Sequence, residues 1–160
     1  MIRPRPWITT NDMYYSTISL RLTSSTISAD TMISTIGMQP CSAWNKGDSL
    51  HLPRGHSFDS PRKYSFAAFD LLRKDERPLA DSILECTRRL ETLRPFFAEL
   101  KSEDGGIAEL FIGWFLSRSG GDTLSSTLLL EVGNLGLDLS FDIYPADGLE
   151  EETEMAHGSI

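Results

Sequence analysis

The chain has 160 residues, 40% of them hydrophobic and 24% charged, with a formal net charge of −8. That size suits one domain able to bury a core without a metal or disulfide staple. The acidic balance disfavours nucleic acid and anionic membrane as partners.

Residues 1–13, "MIRPRPWITTNDM", read as an N-terminal arm. Pro4 and Pro6 disfavour helix, and there is no apolar core of the kind a signal peptide carries. "YYSTISLRLTS" at 14–24 alternates, with Ile18, Leu20 and Leu22 on one side and Thr17, Ser19, Arg21 and Thr23 on the other. That is the pattern of a half-buried strand. A short helix follows, with Ser28 as N-cap, Asp30 in its first turn, apolar Met32, Ile33 and Ile36, and Gly37 as its stop. Residues 38–62 read as loop, punctuated by Pro40, Gly47, Pro53, Gly55 and Pro61.

"KYSFAAFDL" at 63–71 reads as an aromatic-rich strand. From Pro78, the residues Leu79, Ile83, Cys86, Leu90, Leu93, Phe97 and Leu100 form one apolar stripe on a helix. Pro95 lies inside it and predicts a kink or break at Leu93–Arg94. "GIAELFIGWFLS" at 106–117 is apolar on both faces, which predicts a strand that is central or covered on both sides. After a Gly120-Gly121-Asp122 turn comes a helix capped by Ser125 or Ser126 and closed near Gly133 or Gly136. The last strand, 137–144, turns Leu137, Leu139, Phe141 and Ile143 inward and is ended by Pro145.

The order β-α-β-α-β-α-β predicts an α+β fold: a four-stranded, mostly antiparallel sheet with three helices on one face, a ferredoxin-like variant. The first and last thirds share a strand, loop and Ser-capped helix, a weak internal repeat that suggests two β-α-β-like halves. One domain over 14–145 is expected between the arm and an acidic flexible tail at 146–160. The tail holds five acids and no Lys or Arg. Cys41 and Cys86 have neither CxxC spacing nor a neighbouring His cluster, and no apolar run reaches the about 18 residues of a membrane span. A cytoplasmic protein with free thiols is expected.

Gly47-Asp48-Ser49-Leu50 spells the signature of a family of serine esterases. In those enzymes the serine follows a buried apolar strand and is served by a histidine and an orienting carboxylate. Here it follows the polar "CSAWNK". His157 lies in the tail without an Asp at the required offset, and His51 and His56 have only Asp48 and Asp59 nearby. The residues favour a Gly-Asp turn over a nucleophile, and no catalytic residue is assigned. His51, His56, Asp48 and Asp59 read as a solvated loop cluster, so no metal or cofactor is expected. Arg21 on the first strand and Asp138 or Asp142 on the last share an outward face. If those strands are neighbours, they form a cross-strand ion pair. Gly120-Gly121 lacks the Lys-Ser/Thr of a phosphate loop.

The strand "ISLRLT", a helix ending in "IGMQP", a "KGD" loop, a helix with "LRPFF", the aromatic strand "GWF", an "LS"-capped helix and the closing "LGLDLSFDIYP" occur in an order that resembles the family catalogued as domain of unknown function 4279, small and mostly bacterial proteins. The resemblance covers about residues 14–145. It makes Lys46-Gly47-Asp48 a family loop and Ser49-Leu50 a coincidence, and it implies no activity.

The expectation is a non-enzymatic protein that binds a basic protein partner by charge complementarity, in the manner of an immunity or regulatory protein. Its contact residues are sought in the 43–56 loop (Trp44, Lys46, Asp48, His51, Arg54 and His56) and on the outward sheet face (Arg21 and Asp142). The competing packing reading of Trp44 tucks it into the core. The rival functional reading is a small-ligand binder or hydrolase that uses the same face or loop.

Overall fold

The computed structural model describes residues 14–51, 57–58, 60–117 and 120–145. The N-terminal arm and the acidic tail lie outside them. Five strands form the main sheet: β1 (Tyr14–Ser24), β2 (Ser42–Trp44), β5 (Ser65–Asp75), β6 (Ile107–Leu116) and β7 (Asp138–Pro145), in the order β2-β5-β1-β6-β7. A separate two-stranded pairing joins β3 (Leu50–His51) to β4 (Ser57–Phe58). The helices are α1 (Ala29–Ile36), α2 (Leu79–Arg89), α3 (Arg94–Ser102) and α4 (Ser126–Leu135).

The α+β class stands, but the sheet has five strands and there are four helices. The fifth strand, β2, is three residues long and exposed at Ser42 and Ala43, too short for a period-2 signal to register. It pairs antiparallel with β5, opposite Phe66–Ala68. The fourth helix arises at Pro95. The stripe from Leu79 to Leu100 is continuous in sequence, but a 3-10 turn at Glu91–Leu93 interrupts it and Pro95 opens α3 within its first turn. Without an N–H, proline is placed at little cost where that group has no intrahelical partner.

Three sheet pairings are antiparallel and one, β6 to β7, is parallel. A fully ferredoxin-like sheet has no such neighbours. The two parts of the chain that resemble each other therefore fold differently. α4 carries the chain back along the sheet, so β7 runs beside β6 in the same direction. Between β1 and β5 the chain inserts α1, β2 and the small hairpin, and β5 returns antiparallel to β1.

Period-2 alternation sorts β1 cleanly: Ser16, Ile18, Leu20, Leu22 and Ser24 are buried and the residues between them are not. The buried set meets Ala67, Phe69, Ala108, Leu110 and Ile112 from the flanking strands and Met32, Ile83, Cys86, Phe97, Leu100, Leu128 and Val132 from the helices in one core. The helices cover one face of the sheet. The other face has no helix over it among the described residues.

Local capping agrees with the sequence. Ser28 Oγ accepts Thr31 N–H and Ser125 Oγ accepts Leu128 N–H; Gly37 and Gly136 close α1 and α4 in the left-handed region. α2 starts after Pro78 without a local side-chain cap, and the Asp122 carboxylate accepts Ala80 N–H at 2.9 Å from 42 residues away. No helix among the described residues is long and apolar enough to cross a membrane.

Candidate functional site

The helix-free face is built from the residues that β1, β6 and β7 turn away from the core. Register sets the rows. Tyr15 lies opposite Phe115, which lies opposite Tyr144; Arg21 lies opposite Glu109, which lies opposite Asp138. In the first row the rings stack: Tyr15 on Phe115 at 4.5 Å between centroids and 14° between planes, and Phe115 on Tyr144 at 4.5 Å and 8°. Three aromatic rings on three adjacent strands thus make one column. Lys74 Nζ stands 5.7 Å from the Tyr15 ring. Between the rows lies Gly113, where a Cβ would come within 2.7 Å of Thr17 Oγ1 and 3.4 Å of the Phe115 ring. A glycine there lets both side chains lie over β6.

Two rows away, the Arg21 guanidinium carbon sits 3.3 Å from the Phe111 ring centroid, a stacked cation–π arrangement. Ser140 Oγ donates to Glu109 Oε2 at 2.5 Å, and Lys101 Nζ donates to Asp138 Oδ1 at 2.8 Å. Tyr144 OH donates to Asp142 Oδ2 at 3.4 Å. The doubly apolar pattern of β6 now has a physical reading. Its second face is covered by side chains of its own sheet (Arg21, Tyr15 and Tyr144), with no other layer over it among the described residues.

The cross-strand pair expected between Arg21 and Asp138 or Asp142 requires β1 and β7 to be neighbours. They are not, because β6 lies between them. Lys101 takes Asp138 instead, and Arg21 stacks on Phe111.

At the far edge, Trp44 on β2 stacks on Phe66 at 4.3 Å, and the Arg62 guanidinium lies 3.8 Å from the Trp44 ring. Trp44 is half-buried, and it rests on the helix-free face, not in the core. A cleft of about 330 Å³ beside it is lined by Thr23, Arg62, Lys63 and Tyr64 among others.

Lys46 and Asp48 form part of a turn. Asp48 Oδ2 accepts Asn45 N–H at 2.7 Å, Gly47 N–H donates to Arg62 O at 2.8 Å, and Lys46 Nζ donates to Ser25 O at 3.3 Å. Asn45 Oδ1 in turn accepts Ala29 N–H at 2.8 Å, which ties the turn to the start of α1. The Asp of the Gly-Asp-Ser-Leu string is thus spent on holding a turn, and Ser49 follows it in an exposed position. His51 contributes its backbone to β3. Arg54, His56, Asp59 and His157 lie outside the described residues.

The thiols are poor nucleophiles. Desolvation of its sulfur, with the neighbouring Asp70 carboxylate, pushes the Cys41 thiol up from its ordinary value although the residue as a whole is exposed, and burial pushes Cys86 up to about 12. Among the described residues, no group of three or more His, Cys, Asp or Glu is placed to hold a metal ion.

The structure brings Arg21 and Asp142 onto one face and sets Trp44, Lys46 and Asp48 at its β2 edge. The sequence reading missed Tyr15, Phe115 and Tyr144. Their signal was parity: Tyr15 shares the outward side of Arg21, and Phe115 that of Phe111. It becomes a site only once the strand order is known.

No curated protein and no solved structure matches the chain. The family model described as a domain of unknown function (DUF4279) matches residues 13–146, and the chain belongs to that family.

Proposed function

We propose that the protein is a cytosolic binding module without catalysis of its own. Its helix-free sheet face takes up a positively charged segment of a partner protein. The observation that carries this reading is the Tyr15–Phe115–Tyr144 column with Asp142 at its border. Both faces of Phe115 are taken by its neighbours, so the outer face of Tyr144, beside the Asp142 carboxylate, is the one that suits an arginine or lysine side chain, which stacks on the ring and pairs with the acid. The net charge of −8 adds long-range attraction for a basic partner and speeds its arrival.

A titration with a hexa-arginine peptide, followed by NMR of the aromatic side chains, tests the reading. Tyr15, Phe115 and Tyr144 signals shift in the wild type, and Asp142→Asn weakens the apparent affinity roughly 5- to 30-fold, the effect of losing one charge-assisted contact. Shifts confined to the Trp44 cleft would favour the small-ligand reading. No shift at all would remove the support from both.

A further inference from the structure

β7 ends the main sheet, so among the described residues one backbone edge of eight residues, Asp138–Pro145, has no strand beside it. On the helix side of that strand Phe141 is 39% exposed and Ile143 55%, and on the other side Tyr144 is 47% exposed. A long edge strand with exposed apolar side chains is a template for pairing unless something blunts it. Among the described residues neither a covering helix nor a bulge does so.

We infer that β7 pairs antiparallel with β7 of a second copy of this chain, about a two-fold axis through Phe141, to give a continuous ten-stranded sheet. The charge pattern of the strand selects the register, and its exposed Phe141 and Ile143, which a second copy covers in that register, select the occupant. A two-fold normal to the sheet keeps helix-side residues opposite helix-side residues, so only registers centred on a residue are allowed. Centring on Ser140 sets Asp138 against Asp142 twice; centring on Asp142 sets that carboxylate against itself. Like charges directly opposite destabilise a pair.

Centring on Phe141 sets Asp138 against Tyr144 and Ser140 against Asp142, so that no carboxylate lies directly opposite another. It also sets Leu139 against Ile143 and Phe141 against its own copy, and so covers the exposed apolar groups. The chain after Pro145 carries five acids and no Lys or Arg, so it does not complement an edge bearing Asp138 and Asp142.

The edge shares Tyr144 and Asp142 with the sheet face, but the pairing rests on the open backbone of β7 and not on the aromatic column. Salt separates the pairing from partner binding. Two copies of an acidic chain repel, so self-pairing tightens as salt rises, whereas capture of a basic partner weakens.

The test is sedimentation equilibrium of the full chain combined with disulfide trapping in a Cys41→Ser background. The wild type is expected at twice the chain mass at tens of micromolar, and Ile143→Lys at the chain mass with an unchanged far-UV spectrum. On oxidation, Phe141→Cys gives a linked dimer. Leu139→Cys and Ile143→Cys link when mixed and not when alone. A monomeric wild type at that concentration, or linking of Ser140→Cys with itself in preference to Phe141→Cys, would overturn the inference.

Discussion

The carboxylate of Glu103, just past the end of α3, accepts the backbone N–H of Ser25 at 3.0 Å and its hydroxyl at 2.7 Å, 78 residues earlier in the chain. The same carboxylate accepts the Thr26 N–H and hydroxyl, each at 3.0 Å, and the Ser24 hydroxyl. One side chain therefore organises the whole exit of β1 into α1. Hydrogen bonds to a charged group contribute about 1.5–3 kcal/mol each, and several of these share one acceptor. Glu103→Ala is expected to lower unfolding free energy by about 2–4 kcal/mol in urea titration. Ser102→Ala, next to it and exposed, should change it by less than about 0.5 kcal/mol.

Stability should fall in acid. The Arg77 guanidinium beside Asp75 holds that carboxyl down to about 2. At Glu103, desolvation raises the value, but the hydrogen bonds from Ser24, Ser25 and Thr26 together outweigh it and the net direction is down. A carboxylate whose folded value is depressed contributes stability that is fully present above its unfolded value, near about 4, and lost as pH falls through the folded one. The urea midpoint is expected to be flat from neutral pH to about 5.5 and to decline below about 4.5. The double variant Asp75→Asn, Glu103→Gln should start lower and decline less.

Two glycines should respond differently to alanine. A Cβ at Gly106 would lie 1.8 Å from Leu100 O, a backbone atom, whereas at Gly113 the nearest atom, at 2.7 Å, is the hydroxyl end of Thr17. Backbone cannot yield as a side chain can. Gly106→Ala should cost about 3 kcal/mol or more and Gly113→Ala about 1 kcal/mol, compared by thermal melting.

Phe97 is fully buried and belongs to α3 beyond the break. Phe97→Ala leaves a cavity in the core and should cost about 3–5 kcal/mol. A loss below about 1 kcal/mol would show that the second half of the apolar stripe does not pack.

Thiol reactivity should separate the cysteines. Cys41 is exposed and Cys86 is buried. Iodoacetamide at pH 7.5 is expected to label Cys41 slowly and Cys86 only on unfolding, read by mass spectrometry of peptides.

Most of the fold was legible because long periodic segments carry it. The alternation in β1 and the stripe from Leu79 to Leu100 each place a buried face without help from the rest of the chain. β2 was not legible, since three residues leave no period to detect. Strand order was not legible either. Whether Asp138 meets Arg21 or Lys101 depends on which strand lies between them, a tertiary fact. For the same reason the site was read in part: Arg21 and Asp142 are outward by parity, but the Tyr15–Phe115–Tyr144 column exists only in the order β1-β6-β7. Trp44 drew attention as a lone tryptophan in a loop, yet its setting depends on Phe66 and Arg62 across an edge pairing.

The central claim, that the helix-free face binds a basic partner protein, is tested most directly by affinity purification of the tagged chain from its own cells, with mass spectrometry, at low and moderate salt. The account predicts one stoichiometric basic protein that is lost as salt rises and is not recovered with a Tyr144→Ala, Asp142→Asn variant of unchanged stability. The absence of any stoichiometric partner at either salt, or one recovered equally by that variant, would contradict it.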